Sequence, residues 1–403
     1  MKKTLAIILF LSAALVFADP IKKMPPLAVP TVESRGFGGT HVAFTDDVFS
    51  LLVNPAAMMQ TRERRFLTLS STMYSPQVVF DLLTPLLEGD MTEMLSKWGD
   101  AGNEGRLAFG SSLPGFPLSI AWVADGFGLG FWNNIDMVSQ VIGTTVKIET
   151  LVDFIMPVGF AFKVLDTDHH DLDAGVTGKF FVRGWGSYRM KMMDVLDDSG
   201  NFLDGMVVPL IAGFGLDAGF TYRWDIGLSA GLTFDDIATF GGEISRIDLT
   251  GGSEKKDTIY QVPFSMNAGV SYDARFGKFF PRAPGWLAKS GFFAALDFRD
   301  FARDWNDYSQ RNPVLGIGAG VGLNLIGVFT LRAGINEALP AVGLGIDLGA
   351  VEFDFAYYGR EYGLEPGQMP VAAVSFSFSV RPGAKERNWP WTRASIIGGA
   401  QKK

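Results

Sequence analysis

One serine of this chain lies in a spacing that hydrolases use. Gly227-Leu228-Ser229-Ala230-Gly231 matches the G-x-S-x-G pattern, in which the serine attacks a carbonyl carbon. That chemistry needs a sharp strand-to-helix turn and a histidine, whereas this segment alternates apolar and small residues as a strand does. Two of the three histidines, His169 and His170, lie in an Asp-rich turn. We therefore interpret Ser229 as a strand residue and expect no enzyme.

A glycine run, Gly316-Ile317-Gly318-Ala319-Gly320-Val321-Gly322, resembles a dinucleotide-binding fingerprint. That fingerprint needs a helix after the second glycine, and Val321 occupies the place of the third. The strict alternation favours a stripe of glycines on one face of a strand. The run therefore predicts no cofactor.

An acidic cluster is the only metal candidate in the sequence, and its members are Asp194, Asp197, Asp198, Asn201 and Asp204. Calcium takes several oxygen ligands, but this spacing is not that of a hand-type loop. The cluster is typical of an acidic hairpin tip, and we predict no metal site.

The composition points away from several classes of protein. The 403 residues include 48 Gly and 34 Phe, no Cys, and a net charge of −8. The missing cysteine excludes disulfides and a lipid-modified N-terminal cysteine, and the acidic balance excludes a basic nucleic-acid footprint. A mean hydropathy of +0.18 is high. Apolar residues are therefore plentiful but dispersed, as in alternating strands.

The first 18 residues read as an export signal. Lys2 and Lys3 precede an apolar run from Leu5 to Phe17, and a small residue, Ala18, follows it. The run is too short to span a bilayer. We expect cleavage after Ala18 and a secreted mature chain.

An alternation of apolar with small or polar residues returns along most of the chain. The apolar face and its opposite are clearest in residues 211–220, 226–234, 262–273, 315–324, 351–357 and 374–380. A soluble sandwich also alternates, but segments of about ten residues with Gly and Ser on the polar face favour a membrane barrel with a crowded lumen. We predict an all-β, antiparallel transmembrane barrel of about 14 strands, within a range of 12 to 16.

Two stretches depart from this pattern. Residues between Val79 and Trp98 recur at helical spacing, which predicts a short helical loop on the extracellular side. Residues 381–403 form a polar tail, which we place in the periplasm. The expected organisation is a signal peptide at 1–18, an N-terminal plug at 19–65, a barrel at 66–380 and the tail.

Two stretches before the barrel are Ser34–Asp47, which ends in two acids, and Val53-Asn54-Pro55-Ala56-Ala57-Met58. Together they resemble the hatch of the FadL-type outer-membrane fatty-acid transporters. Leu331–Glu337, Val342–Gly345 and Asp354–Tyr358 are similar to the last strands of such barrels, including a branch that shuttles cargo in a secretion system. This chain departs from the family at His41, where an aliphatic or aromatic residue is usual, and in its C-terminal tail. An internal assembly signal around Phe376, Phe378 and Val380 is therefore expected.

The resemblance implies passive import of long-chain fatty acids or similar hydrophobic molecules through a hatch in the lumen. Its gating residues would be Gly38, Gly39, Asp46, Asp47, Asn54, Pro55 and Ala56. A ligand groove is expected on Leu82, Leu83, Leu86, Leu87, Met91 and Met94, unless that face only packs on neighbouring loops. The expected partners are the ligand, outer-membrane lipid and the barrel assembly machinery. The alternative is a non-transporting partner of a secretion or surface-assembly system.

A fatty acid also needs a cation for its carboxylate. The basic residues whose strand parity points inward are Lys147, Lys163, Lys179, Arg183 and Arg332. The competing interpretation pairs these cations with lumen acids, among them Asp217, Asp297, Asp347 and Asp354.

Overall fold

In the strands, apolar residues alternate with small or polar residues, and the two kinds of side chain face opposite sides of the sheet. Strands account for most of the described chain. The computed structural model describes residues 21–45, 47–61, 63–78, 106–116, 118–142, 145–191, 207–248, 258–280, 282, 284–301 and 311–381, with residues 81, 88 and 93. The signal peptide, Asp46, the six groove residues, the acidic cluster at 194–204 and the tail after Arg381 lie outside these ranges.

Fourteen strands make the wall, and four of them consist of two segments. They are β1 (Glu63–Arg65 and Leu67–Tyr74), β2 (Arg106–Pro114 and Ile120–Ala124), β3 (Phe127–Ile142), β4 (Thr145–Asp166), β5 (His170–Lys191), β6 (Val207–Trp224), β7 (Leu228–Asp235 and Thr239–Asp248), β8 (Ile259–Val262 and Ser265–Arg275), β9 (Gly291–Phe298), β10 (Ile317–Leu325), β11 (Phe329–Asn336), β12 (Leu339–Asp347), β13 (Val351–Glu361) and β14 (Pro370–Val380). Each strand pairs antiparallel with the next, and β14 pairs with β1, for example at Phe376 and Ser71. The sheet is therefore closed, as predicted.

Helical elements are short. Inside the barrel lie α1 (Val32–Gly36), α2 (Ser50–Val53) and a 3₁₀ turn at Pro55–Met59, and at the rim lie α3 (Phe276–Phe279), α4 (Gly285–Ala288) and a 3₁₀ turn at Pro313–Gly316. No helix among the described residues is long and apolar enough to cross a bilayer.

The apolar face of the strands points outward. Phe160 is 57% exposed and Phe180 is 56% exposed, and both lie in the middle of long strands. A soluble sandwich would bury such residues between its sheets. The outward apolar face, on a closed sheet without unpaired edges, is that of a barrel that lipid surrounds.

The two rims differ in the length of their connections. At the end where β1 begins and β14 finishes, most turns have two or three residues, such as 125–126 and 348–350. The opposite rim carries most of the long connections, including 75–105 and 299–316, and the exception is residues 276–290 at the first rim. Outer-membrane barrels have short periplasmic turns, so the chain ends mark the periplasmic side.

The wall is uneven in height. β4 and β5 have 22 residues each, whereas β9 and β11 have 8. At about 3.4 Å per residue and a tilt of about 45°, β4 rises roughly 50 Å, about twice the height of the lipid-facing band. The extracellular ends of β4 and β5, including Lys147, therefore project beyond the membrane.

Two interruptions shape the wall. Between Pro114 and Ile120 five residues of β2 lie opposite two of β3, and the hydroxyl of Ser119 accepts from Thr68 N and donates to Thr68 O, at 2.7 Å each. Gly115 must be glycine here, because a Cβ would meet the Thr68 carbonyl oxygen at 1.9 Å. In β7 a second interruption, at 236–238, turns Asp236 into the lumen.

The buried core lies inside the barrel, between residues 21–61 and the wall. Met24, Val48, Leu51 and Met58 are fully buried there against wall residues such as Ile155. Each such side chain contributes about 1.5–3 kcal/mol through the hydrophobic effect. We call residues 21–61 the hatch.

Candidate functional site: the hatch and the lumen cavity

The hatch enters the lumen from the extracellular side. Lys22 and Lys23 pair with Tyr260 and Gln261 at the extracellular end of β8, and the chain then descends toward β1. Thr31 caps α1, because its hydroxyl accepts from Ser34 N at 3.0 Å. This short helix faces β12 and β13.

The glycine turn after α1 lies directly against the wall. Gly38 and Gly39 have φ angles of +73° and +74°. A Cβ on Gly38 would meet the Ala319 carbonyl oxygen at 2.1 Å, so only glycine fits. The glycine stripe of β10 lies opposite, since a Cβ on Gly320 would meet the Phe37 carbonyl oxygen at 2.3 Å. The Gly316–Gly322 run is thus a strand that gives room to the hatch.

Asp47 ties the hatch to the periplasmic end of the wall. Its Oδ2 accepts from Arg65 Nη2 at 3.1 Å, and its Oδ1 accepts from Phe49 N at 2.9 Å. Arg65 also contacts Glu63 at 2.8 Å and Glu352 at 3.1 Å. Arg381, directly after β14, joins the same buried cluster through Glu63 at 3.5 Å and Glu352 at 3.7 Å, and it also contacts Asp347.

The Asn54-Pro55-Ala56 signature forms a second anchor, beside β5 and β6. Asn54 is fully buried, and its Nδ2 donates to the Val42 carbonyl at 2.8 Å and to Thr221 Oγ1 at 3.1 Å. Its Oδ1 accepts from Ala56 N at 3.2 Å and so caps the 3₁₀ turn. This side chain links two parts of the hatch to the wall.

A third anchor, at Asp297 of β9, was not predicted from the sequence. Its Oδ2 accepts from the backbone N of His41 at 2.7 Å and of Val42 at 2.9 Å. The sequence had suggested Asp297 as the partner of a lumen cation. Burial, and then the nearby Arg299, lower the pKa of His41 to about 4, so this histidine is neutral at neutral pH.

A cavity of about 440 Å³ lies between the hatch and the wall of the barrel. Its apolar lining comes mainly from the hatch, and includes Leu27, Val29, Phe37, Phe44, Phe49 and Leu52. Its polar lining lies at two places: Lys179, Asp235 and Asp236 on one side, and Arg35, Tyr358 and Arg360 on the other. The volume and the mixed lining are those of a small-ligand pocket.

All five cations predicted for a carboxylate have a carboxylate partner already. The contacts are Lys147 with Glu149 at 2.7 Å, Lys163 with Asp166 at 2.9 Å, Lys179 with Asp217 at 2.8 Å and Asp236 at 2.9 Å, Arg183 with Asp153 at 2.6 Å, and Arg332 with Asp354 and Glu33, both at 2.9 Å. Of these, Lys179 alone lines the cavity. The competing interpretation, in which lumen cations pair with lumen acids, describes their geometry.

Two other arginines lie in the cavity wall without an acid. Within the described residues, no carboxylate oxygen lies within 4.0 Å of a guanidinium nitrogen of Arg35 or Arg360. Arg35 lies over the Tyr358 ring at 5.3 Å, and Arg360 lies over Tyr74 at 5.5 Å and over Tyr362 at 4.8 Å. Neither arginine was predicted from the sequence. The alternation along β13, in which Tyr357 faces outward, already implied that Arg360 faces the lumen.

The hydrolase-like segment has no hydrolase geometry. Ser229 lies in β7, paired with Arg223 on β6 and Ser271 on β8. The strand continues to Asp235 without a helix. The sharp turn that a serine nucleophile needs is therefore missing from this segment.

Several solved structures are similar to this chain at low sequence identity. The chain is similar to the Pseudomonas putida toluene transporter TodX, at 14% identity, with 90% of this chain and 99% of that chain covered and a TM-score of 0.44. The Ralstonia pickettii toluene transporter TbuX is 14% identical, with 90% of this chain and 98% of that chain covered and a TM-score of 0.43. A Pseudomonas aeruginosa FadL homologue is 10% identical, with 89% of this chain and 99% of that chain covered and a TM-score of 0.41. No family model and no curated protein matches.

At these values the fold assignment rests on the chain's own architecture: a closed barrel of fourteen strands, filled by its N-terminal segment. The predicted resemblance to FadL-type barrels is confirmed as one of fold. The protein is an outer-membrane barrel. Its apolar outer face and plugged lumen have no counterpart in a soluble fold.

Proposed function

We propose that this barrel is a channel for the passive uptake of long-chain fatty acids or similar hydrophobic molecules, and that the hatch gates it. The observation that carries the proposal is the cavity of about 440 Å³, which has apolar walls from the hatch and cationic groups from the hatch and the wall. An amphiphile needs both. The similarity to the toluene transporters TodX and TbuX supports a hydrophobic cargo.

The hatch must move for a ligand to pass below the cavity. The Asn54 and Asp47 anchors lie on the periplasmic side of that space, and their hydrogen bonds hold the hatch across the lumen. A shift that releases these few bonds opens a path toward the periplasm. The predicted gating residues remain Gly38, Gly39, Asp47, Asn54, Pro55 and Ala56, together with Asp46, which lies outside the described residues.

A reversible lock tests gating directly, because the chain has no cysteine of its own. Ser271 Oγ donates to the Ala43 carbonyl at 3.1 Å, so an Ala43→Cys, Ser271→Cys pair joins hatch to wall. Uptake of labelled palmitate is measured in cells that lack their own channel. We expect uptake with the natural protein and the Ala43→Cys single variant, none with the oxidised pair, and recovery after a reductant.

Uptake that the oxidised pair leaves unchanged contradicts gating by the hatch. A correctly inserted natural protein that restores no uptake contradicts transport of fatty acids. The second candidate, a non-transporting partner of a secretion or surface-assembly system, then gains support. The observation that favours it is the strength of the plug: buried ion pairs at Arg65 and Arg332 hold the hatch at both ends.

A further inference from the structure

Arg35 and Arg360 are unusual among the lumen cations because their guanidinium groups have donors left over. A guanidinium carries five N–H donors. Arg35 donates only through Nη1, to Thr72 Oγ1 and to Ser375 Oγ at 3.1 Å. Arg360 donates only through Nη1, to the Tyr74 hydroxyl at 3.0 Å. The other donors of both groups have no partner among the described residues.

The surroundings hold both guanidinium groups in place without neutralising them. The Tyr74 and Tyr362 rings flank Arg360 and meet each other edge to face at 5.9 Å. Tyrosine rings stabilise a cation by contact with their faces but supply no counter-charge. The two guanidinium groups are thus fixed in position, positively charged and left with unused hydrogen-bond donors.

Acids near this site are either occupied or more distant. Glu337 also lines the cavity, but its Oε2 accepts from Glu361 N at 2.7 Å and its Oε1 contacts Arg311 at 3.3 Å. Asp136 of β3 acts on both arginines only at longer range. Guanidinium groups without a contacting anion are able to bind a carboxylate through charge-assisted hydrogen bonds.

We propose that Arg35 and Arg360 together bind the carboxylate of an amphiphile whose chain lies along the apolar lining of the cavity. This inference rests on the proposed function and narrows its substrate class to carboxylates, as opposed to neutral hydrocarbons. Arg35 belongs to the hatch and Arg360 to β13. The carboxylate therefore bridges the hatch and the wall, and binding of the ligand directly affects the position of the hatch.

The test is equilibrium binding of radiolabelled dodecanoate and of its methyl ester to the purified full barrel in detergent, with empty micelles subtracted. The ester keeps the apolar chain and removes the charge. We expect the natural protein to bind the acid at least about 10-fold more tightly than the ester. Arg360→Gln and Arg35→Gln should each weaken binding of the acid by about 10- to 100-fold, the range of a lost charge-assisted hydrogen bond, and leave the ester unchanged.

Two controls separate recognition from folding. Arg246→Gln removes an arginine that pairs with Glu243 at 2.8 Å and does not line the cavity, and it should change neither affinity. Arg360→Lys keeps the charge and loses the planar fork, and it should recover part of the lost affinity. Heat-dependent gel mobility confirms that each variant is a folded barrel.

Equal affinity for acid and ester, unaffected by Arg360→Gln, overturns this inference and leaves the proposed channel as one for neutral molecules. Binding of neither ligand overturns the proposed function as well. Loss of acid binding in Arg246→Gln to the same extent as in Arg360→Gln also overturns it, because any lost arginine would then suffice.

Discussion

Two pairs of lumen cations, one on each side of the barrel, are held in opposite ways. On the side of β4 to β6, Arg183 meets Asp153 through two nitrogens, at 2.6 and 2.7 Å, and Lys179 meets two carboxylates. On the side of β1, β13 and β14, Arg35 and Arg360 meet tyrosine rings and hydroxyls. Removing an unpaired charge from water costs several kcal/mol. The first side is therefore complete as a structure, whereas the second is completed by a ligand.

Removing a partner on the paired side should have the largest effect on stability. Arg183→Met leaves Asp153 buried without its cation and also frees the Pro26 carbonyl, which accepts from Arg183 at 3.0 Å. We expect a loss of about 3–5 kcal/mol in the free energy of unfolding, measured by urea titration in lipid vesicles. Arg183→Met with Asp153→Asn should recover much of that loss. A single-variant loss below about 1 kcal/mol would mean that this pair is not structural.

The part of the hatch beside β9 should tolerate no further positive charge, and His41 tests this. Its pKa falls from the ordinary 6.5 to about 4 through burial and then through Arg299, while Asp297 faces its backbone. Between about pH 4 and pH 6.5, His41 binds a proton more readily when the hatch is undocked than when it is docked. Docking is thus strongest above about pH 6.5 and weakens as the pH falls toward 4, by at most about 3 kcal/mol.

Limited proteolysis of the hatch at pH 7.5, 6 and 4.5 measures this effect. We expect cleavage to increase at low pH in the natural protein, and His41→Phe to remove most of that increase. The same pH dependence in His41→Phe would assign the change to another group.

Arg360→Met should have the smallest effect on stability. The change removes two ring contacts and one hydrogen bond but leaves no carboxylate unpaired, so we expect a loss of about 1 kcal/mol. Urea titration of this variant beside Arg183→Met compares the two sides under one condition. Equal losses would remove the distinction between them.

The strands could be predicted because every second side chain of a membrane-spanning strand faces lipid and must be apolar. Phe355 and Tyr357 show the rule on β13, where both face outward as expected. The interruptions at 115–119 and 236–238 could not be predicted, because they depend on which residues of a neighbouring strand lie opposite. The path of the hatch depends likewise on contacts between residues far apart in sequence, such as Asn54 and Thr221.

The candidate site shows the same limit. Parity correctly placed Lys179, Arg183 and Arg332 inside the barrel, but it carries no information on which of them meets an acid. The same alternation could have placed Arg360 inside the barrel. It could not have placed Arg35, since a hatch residue has no strand face, and the position of Arg35 follows only from how α1 lies against β12 and β13.

A crystal of the natural barrel soaked with 12-bromododecanoate tests the central claim most directly, because bromine marks the end of the chain by its anomalous signal. The account predicts bromine among the apolar residues of the cavity, near Leu27 and Val29, and carboxylate oxygens about 3 Å from the guanidinium nitrogens of Arg35 and Arg360. A carboxylate bound at Lys179, or bromine found only on the outer face of the barrel, would contradict it.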